Sequence, residues 1–114
     1  SPKAFAADDK ARIIARKAID KNFHKILSKD KILFIFLPLM HSEQLNDQNY
    51  CIELIQKHLK DNPQYKEINK FAKIHLDIVK KFGRFPYRNK VLKRNNTIEE
   101  EKYLKTTHYD FFNI

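Results

Sequence analysis

Apolar residues recur at helical spacing along most of the chain. From Ala4 to about Asn22 they step by three or four positions, which predicts one buried stripe on an amphipathic helix. Asp8 and Asp9 fall in the first turn of this predicted helix, where negative charge suits the helix dipole. The predicted stripe consists of Ala7, Ala11, Ile14 and Ala18.

The next apolar segment, Ile32 to Met40, is too uniform for its period to separate helix from strand. Pro38 cannot donate to a sheet ladder, and no second strand candidate is present as a partner. The segment is therefore predicted to be a short buried helix that ends near Pro38, capped by Ser28 or Asp30. It is shorter than the roughly 20 residues of a membrane-spanning helix.

Two further helices follow from the pattern. One is predicted to start at Ser42 and to bury Leu45, Gln48, Ile52, Ile55 and Leu59. The other has Asn62 as its cap and Pro63 as its first residue, and it ends at Phe82, after which Gly83 supplies a left-handed residue. Its predicted buried face comprises Ile68, Phe71, Ala72, His75, Ile78, Val79 and Phe82.

A last helix begins after Thr97, because Glu100 stands three residues further on and completes a capping box. The aromatic tail, His108 to Ile114, is predicted to dock on the body of the protein. The fold class expected from these elements is all-α, as a bundle of antiparallel helical hairpins joined by short loops. The 114 residues suit one helical domain, 1–114.

The composition indicates the cellular compartment of the protein but says little about its function. One cysteine, Cys51, excludes an internal disulfide and fits a reducing, cytoplasmic compartment, and no membrane association is expected. The net charge of +9 suggests a polyanion partner. However, the lysines are dispersed, and the abundance of Lys, Asn and Ile is what adenine- and thymine-rich codons produce. Nucleic acid is therefore a disfavoured partner.

Two blocks combine the rarer residue types: "HSEQLNDQ" from His41 and "GRFPYRN" from Gly83. With these blocks, and with His75 and Phe82, the chain resembles a bacterial family of uncharacterised proteins, the domain of unknown function 924. The resemblance implies a helical fold similar to tetratricopeptide repeats and brings no established activity. Tyr87 stands where the family usually has histidine, which puts any role of that imidazole in doubt.

The resemblance also covers only part of the family pattern. The family has an N-terminal helical part with its own motif, and this chain lacks it. The chain is therefore expected to be the C-terminal portion of a longer family domain. Apolar surface that the missing helices would cover is then open to a second copy, so self-association is a further expectation.

Polar residues interrupt two of the predicted apolar faces. Gln48 and His75 both fall where side chains should be buried, and a buried polar group requires a partner. Either the two side chains satisfy backbone groups, with the irregular loop 83–89 as the obvious recipient, or they line a polar cavity together with His41.

Arginines dominate the second block. Arg84 and Arg88 carry guanidinium groups that suit a carboxylate or a phosphate. Alternatively they pair with Glu43 or Asp47 and pin the loop to the helix near Ser42, while Asn89 caps the next turn. Both alternatives require the chain after Phe82 to fold against the turn near Met40.

Metal chemistry has weak support in the sequence. His41, Glu43 and His75 are ligand types that zinc accepts, but they lack the helical spacing of the strong zinc motifs. No metal and no cofactor are expected.

Three functional hypotheses remain. The leading one is a binding or interaction module with a polar pocket for a small anion or an acidic peptide end. The second is a small hydrolase-like enzyme that uses His75 or His41 as general base beside an arginine-bound substrate. The third is a weak nucleic-acid binder, because aromatics adjoin arginines in "RFPYR". The predicted pocket consists of His41, Glu43, Gln48, His75, Arg84, Arg88 and Asn89.

Overall fold

The fold is all-α, as the sequence predicts. A computed structural model of the protein describes residues 2–28 and 31–106, with side chains from residue 8 onward. Within these ranges the chain forms helices and no strand. The helices are α1 (Pro2–Asp20), α2 (Ile32–Met40), α3 (Leu45–His58), α4 (Tyr65–Phe82) and α5 (Ile98–Thr106).

Helices adjacent in the chain pack against each other from α1 to α4, and short 3-10 helices follow α1 and α4. The main core lies between α1, α2, α3 and the first half of α4, around Phe36, Leu39 and Ile55. A second apolar cluster joins the end of α4 to the 3-10 helix Pro86–Arg88, which contacts α5. None of the helices in these ranges combines the length and apolarity needed to cross a bilayer. The likeness to tetratricopeptide repeats stays a prediction.

The predicted apolar stripe of α1 is wrong at Ile14, although Ala11 and Ala18 are half-buried. Ile14 is 67% exposed, whereas Ala15 and Ile19 are buried. Arg12 and Arg16 of α1 both form ion pairs with the buried carboxylate of Asp47 in α3, and these contacts fix the rotation of α1 about its axis. The start of α1 at Pro2 also places Asp8 and Asp9 beyond its first turn, and the side chain of Ala7 lies outside the description.

Helix α2 continues two residues past Pro38, to Met40. Proline removes one backbone hydrogen bond from a helix, but Phe36, Leu39 and Met40 are almost completely buried here. Apolar burial therefore holds the short helix beyond its proline. Ser28 contributes its carbonyl oxygen, not its side chain, to the start of α2, and the predicted cap Asp30 lies outside the described residues.

Two helices begin later than the sequence predicts. Helix α3 begins at Leu45 rather than Ser42, and Leu45 itself is 42% exposed. The Asn62 side chain accepts a hydrogen bond from the N–H of Gln64 at 2.8 Å, and α4 begins one residue further on, at Tyr65. In both places a polar side chain stabilises a tight turn before the helix instead of capping the helix itself.

The predicted end of α4 is confirmed. Gly83 follows Phe82 with φ of 72°, in the left-handed region that glycine tolerates best. The α5 capping box is also confirmed, because Thr97 and Glu100 exchange side chain-to-backbone hydrogen bonds of 2.9 and 3.0 Å. On α4 one predicted core residue, Phe71, is exposed instead. The predicted docking of His108 to Ile114 lies outside the described residues.

Candidate functional site

The two blocks of rare residues meet in the fold. The N–H of Phe85 donates to Glu43 Oε2 at 2.6 Å, and Arg88 Nη2 donates to the carbonyl oxygen of His41 at 2.9 Å. The left-handed Gly83 turns the chain out of α4, and Pro86 starts the 3-10 helix that carries Arg88. The predicted contact between the segment after Phe82 and the turn near Met40 is confirmed.

Arg94 organises this junction, and sequence reasoning missed it. Its guanidinium donates to both carboxylate oxygens of Glu43, at 2.9 and 3.0 Å, and to the carbonyl oxygen of Phe85 at 3.2 Å. Burial would raise the pKa of Glu43, but the hydrogen bonds from Arg94 and from the Phe85 N–H lower it below its ordinary value. Glu43 is therefore a clamp for the loop and is charged at neutral pH.

Asn89 belongs to the same network and does not cap the following turn. Its side-chain oxygen accepts from Arg94 Nε at 2.9 Å, and its amide nitrogen donates to Asn96 at 2.8 Å. Because Asn89 is almost completely buried, both polar ends of its amide need these partners. Its role in the described structure is to hold residues 89–96 in shape.

Arg84 binds a carboxylate that was not predicted. Its Nε and Nη2 atoms donate to the two oxygens of Glu100 at 2.8 and 2.6 Å, and Nη2 also donates to the carbonyl oxygen of Asn95. The hydrogen bond from Arg84 lowers the pKa of the buried Glu100 to about 2. Pairing of Arg84 with Glu43 or Asp47 is therefore wrong, and Arg84 fixes the start of α5 instead.

Asp47 is paired elsewhere as well. One of its oxygens accepts from Arg16 Nε at 2.6 Å and the other accepts from the Ser42 hydroxyl at 2.7 Å. Arg12 lies 3.2 Å from the second oxygen. This buried carboxylate ties α1 to α3 and to the turn that precedes α3, and it does not reach Arg84 or Arg88.

Gln48 satisfies backbone groups, but not those of the predicted loop. Its amide nitrogen donates to the carbonyl oxygens of Met40 and Ser42 at 2.6 and 2.7 Å. Those carbonyls belong to the turn between α2 and α3, where the helix end leaves acceptors without intrahelical donors. Gln48 thus supports the turn that carries His41 and does not line a cavity with it.

His75 lies at the core of the junction. Its Nδ1 is 2.7 Å from the carbonyl oxygen of Phe71, so this nitrogen carries the proton. The ring contacts Phe85 edge to face with 5.6 Å between centroids, and His41 lies 6.2 Å away. Burial lowers the pKa of His75 to about 4, despite the opposing hydrogen bond to Phe71. The imidazole is therefore neutral at physiological pH.

Arg88 lies beside the two histidines. Its guanidinium stacks over the Phe85 ring at 4.8 Å from the centroid, and its side chain is only 6% exposed. Asp8 of α1 lies 3.7 Å from Arg88 Nη2 and is 38% exposed. Burial, reinforced by the Arg88 charge, lowers the pKa of His41, whereas Asp8 opposes that shift. This group of residues, defined here as the Arg88 corner, comprises Asp8, His41, His75, Phe85 and Arg88.

The predicted pocket thus separates into parts. His41, His75 and Arg88 come together in the Arg88 corner, while Glu43 and Asn89 form the adjoining clamp with Arg94. Gln48 and Arg84 are committed to structural contacts. The signal that could have found Arg94 is its residue type, since arginine is rare among the basic residues of this lysine-rich chain. Within the described ranges, no three His, Cys, Asp or Glu side chains could hold a metal ion.

The molecule is thus an all-α protein in which partly buried arginine-carboxylate pairs join the two blocks and the start of α5. Over residues 1–108 the chain matches the family described as bacterial protein of unknown function, DUF924. The chain belongs to this family. The comparison with curated proteins found no match.

The chain is also similar to a solved structure. The chain is similar to a protein of unknown function, ATU0120 from Agrobacterium tumefaciens, with 36% sequence identity and a TM-score of 0.78. The match covers 90% of this chain and 55% of that protein. The chain therefore spans little more than half the length of this relative.

Proposed function

We propose that the protein is a binding module that accepts a small anion or an acidic peptide end at the Arg88 corner. The observation that carries the proposal is the ion pair between Arg88 and Asp8, with 3.7 Å between Nη2 and Oδ2. Arg84 and Arg94 hold their carboxylates through two short hydrogen bonds each. The longer contact of Arg88 is the easier one for an incoming carboxylate or phosphate to replace.

Asp8 occupies the place that the ligand would take. It is partly exposed and comes from α1, whereas Arg88 is fixed by Phe85 and by the His41 carbonyl. An anion that displaces Asp8 would keep the buried guanidinium paired, which avoids the cost of an unpaired buried charge. The neutral His41 adds a hydrogen-bonding ring beside the same point.

The test is a titration of the chain with phosphate, small carboxylates and acidic peptides, followed through the ring resonances of His41 and His75. Asp8→Asn should tighten binding because it removes the competing carboxylate, and Arg88→Gln should abolish it. Lys90→Gln is the matched control, since Lys90 is exposed and the substitution changes net charge by the same amount. Absence of any response at millimolar ligand, or equal affinity in Asp8→Asn, would contradict the proposal.

An enzyme is the second candidate, with His41 rather than His75 as the general base. His41 is only half-buried, whereas His75 is sealed in the core with a pKa of about 4, far from the value near 7 that suits a base. Hydrolysis of a carboxylate- or phosphate-ester that is lost in His41→Asn but kept in His75→Asn would favour this candidate. If no such ester is hydrolysed, the enzyme candidate fails and the binding module is the function that stands.

A cytoplasmic location is part of the proposal, since the single cysteine, Cys51, is buried as a free thiol. Nucleic acid is not part of it. Each arginine of "RFPYR" has a carboxylate neighbour within the protein, which leaves less positive charge for a phosphate backbone.

A further inference from the structure

A polar cavity lies away from the Arg88 corner. It has a volume of about 330 Å³ and opens between the chain that follows α1 and the second half of α3. That volume falls at the lower end of the range of small-molecule sites. Its charged and titratable lining includes Asp20, His24, Lys25, Glu53, Lys57 and His58.

His24 is the unusual member of this lining. It is only 4% exposed, and its Nδ1 is buried without a hydrogen-bond partner among the described residues. Its ring meets His58 edge to face with 4.9 Å between centroids and lies 6.2 Å from Phe36. Buried imidazole nitrogens ordinarily have partners, so this cavity-lining ring has one polar atom left unsatisfied among the described residues.

The charges around the two rings favour an anion over a cation. Burial lowers the pKa of both His24 and His58, and the ammonium groups of Lys25 and Lys57 lower both pKa values further. The carboxylates of Asp20 and Glu53 also line the cavity, as does Tyr50, but neither carboxylate is among the causes of the two pKa shifts, whereas Lys25 and Lys57 act on both rings. An anion between the lysines and the histidines would relieve this repulsion.

We propose that this cavity binds a small oxyanion, the phosphate or carboxylate group of a metabolite, between the His24–His58 pair and the side chains of Lys25 and Lys57. The ligand would receive a hydrogen bond from an imidazole and charge-assisted hydrogen bonds from the two ammonium groups. This site shares no residue with the Arg88 corner, so it is independent of the function proposed above.

Sulfate is the probe for the first experiment because its charge stays constant over the pH range used. Titration of the chain should move the ring resonances of His24 and His58 and should raise the pKa of both. Binding should therefore tighten at least about fivefold between about pH 8 and about pH 5.5, as the imidazoles take up protons. Phosphate and acetate then distinguish the two ligand classes.

Variants of exposed residues test the site without threatening the fold. Lys25→Gln with Lys57→Gln should weaken sulfate binding about tenfold. The matched control, Lys73→Gln with Lys90→Gln, has the same net charge but alters lysines outside the cavity, and should change affinity less than about twofold. Arg88→Gln should leave the His24 and His58 responses intact, which separates this site from the Arg88 corner.

Three results would overturn the proposal. The first is no movement of the His24 and His58 resonances with any of the three anions. The second is equal weakening by the control pair, which would mean non-specific attraction to a basic protein. The third is a response to Zn²⁺ alone, which would make the histidine pair a metal site instead.

Discussion

At the scale of single residues, arginine and lysine have different roles in this protein. All five arginines lie within 4 Å of a carboxylate. The planar guanidinium can bind both oxygens of a carboxylate, which a lysine ammonium cannot do with the same geometry. The pairs involving Arg16, Arg84 and Arg94 join segments that are distant in the chain, so arginine positions mark the places where the fold is held together.

Gln48 provides the first residue-scale prediction. Gln48→Leu removes the donors that satisfy the carbonyls of Met40 and Ser42. The free energy of unfolding should fall by about 1–3 kcal/mol for the acceptors left unpaired. Urea denaturation measures the change, and Gln44→Leu, at an exposed position, serves as the control. Equal stability of the Gln48→Leu variant and the parent would show that water replaces the amide without cost.

His75 provides the second residue-scale prediction, which concerns how the stability of the protein depends on pH. The unfolded chain protonates this histidine near its ordinary pKa of 6.5, whereas the folded protein resists protonation down to about pH 4. Below the unfolded pKa the unfolded state therefore binds more protons, and stability must fall as the pH falls. The loss attributable to His75 should approach about 3 kcal/mol between about pH 6.5 and about pH 4.

Comparison with His75→Leu isolates this contribution, because the other histidines remain in both proteins. Chemical denaturation across the pH range should give a steeper decline for the parent than for the variant. Parallel curves would mean that His75 titrates normally in the folded state, and would remove the basis for calling it neutral.

At the scale of elements, two helix ends were predictable from local residues, whereas the rotation of α1 was not. The end of α4 at Gly83 and the capping box of α5 follow from local residue types, and both are confirmed. The rotation of α1 depends on Asp47, a residue of another helix, so the local stripe containing Ile14 failed. Periodicity alone cannot anticipate a polar contact that determines which face is buried.

The left-handed end of α4 gives the third prediction. Gly83→Ala should lower the free energy of unfolding by about 1 kcal/mol, because φ is 72°. A Cβ there would meet no atom within 4 Å, so the loss comes from the backbone alone. Gly83→Asn should lower the free energy of unfolding by less than Gly83→Ala does, and Gly83→Val should lower it by more.

Lys93 offers the matched comparison, since it adopts φ of 55° without being glycine. Lys93→Gly should therefore raise stability, or change it little, where Gly83→Ala lowers it. Thermal melts of the four variants give the ranking. A Gly83→Val variant as stable as Gly83→Asn would contradict the backbone explanation.

At the scale of the whole molecule, the meeting of the two blocks was predictable but its chemistry was not. Rare residues at His41–Gln48 and Gly83–Asn89 indicated a shared site, and the hydrogen bonds from Phe85 and Arg88 confirm the contact. The partners were not predictable, because Arg94 lies outside both blocks and outside any periodic segment. Which carboxylate an arginine reaches is decided by the packing of distant elements, which local spacing does not encode.

The clamp between Glu43 and Arg94 gives the last prediction, because it joins positions 51 residues apart in the chain. If it holds the junction together, the losses of unfolding free energy caused by Glu43→Gln and by Arg94→Met should not be additive. Their double-mutant cycle should yield a coupling of about 1–2 kcal/mol, since the pair is bidentate and partly buried. The Arg88 corner lies on the same junction, so each single variant should also weaken any anion binding there. If the losses of unfolding free energy are additive and anion binding is unchanged, the packing of Phe85 and His75 holds the junction together instead.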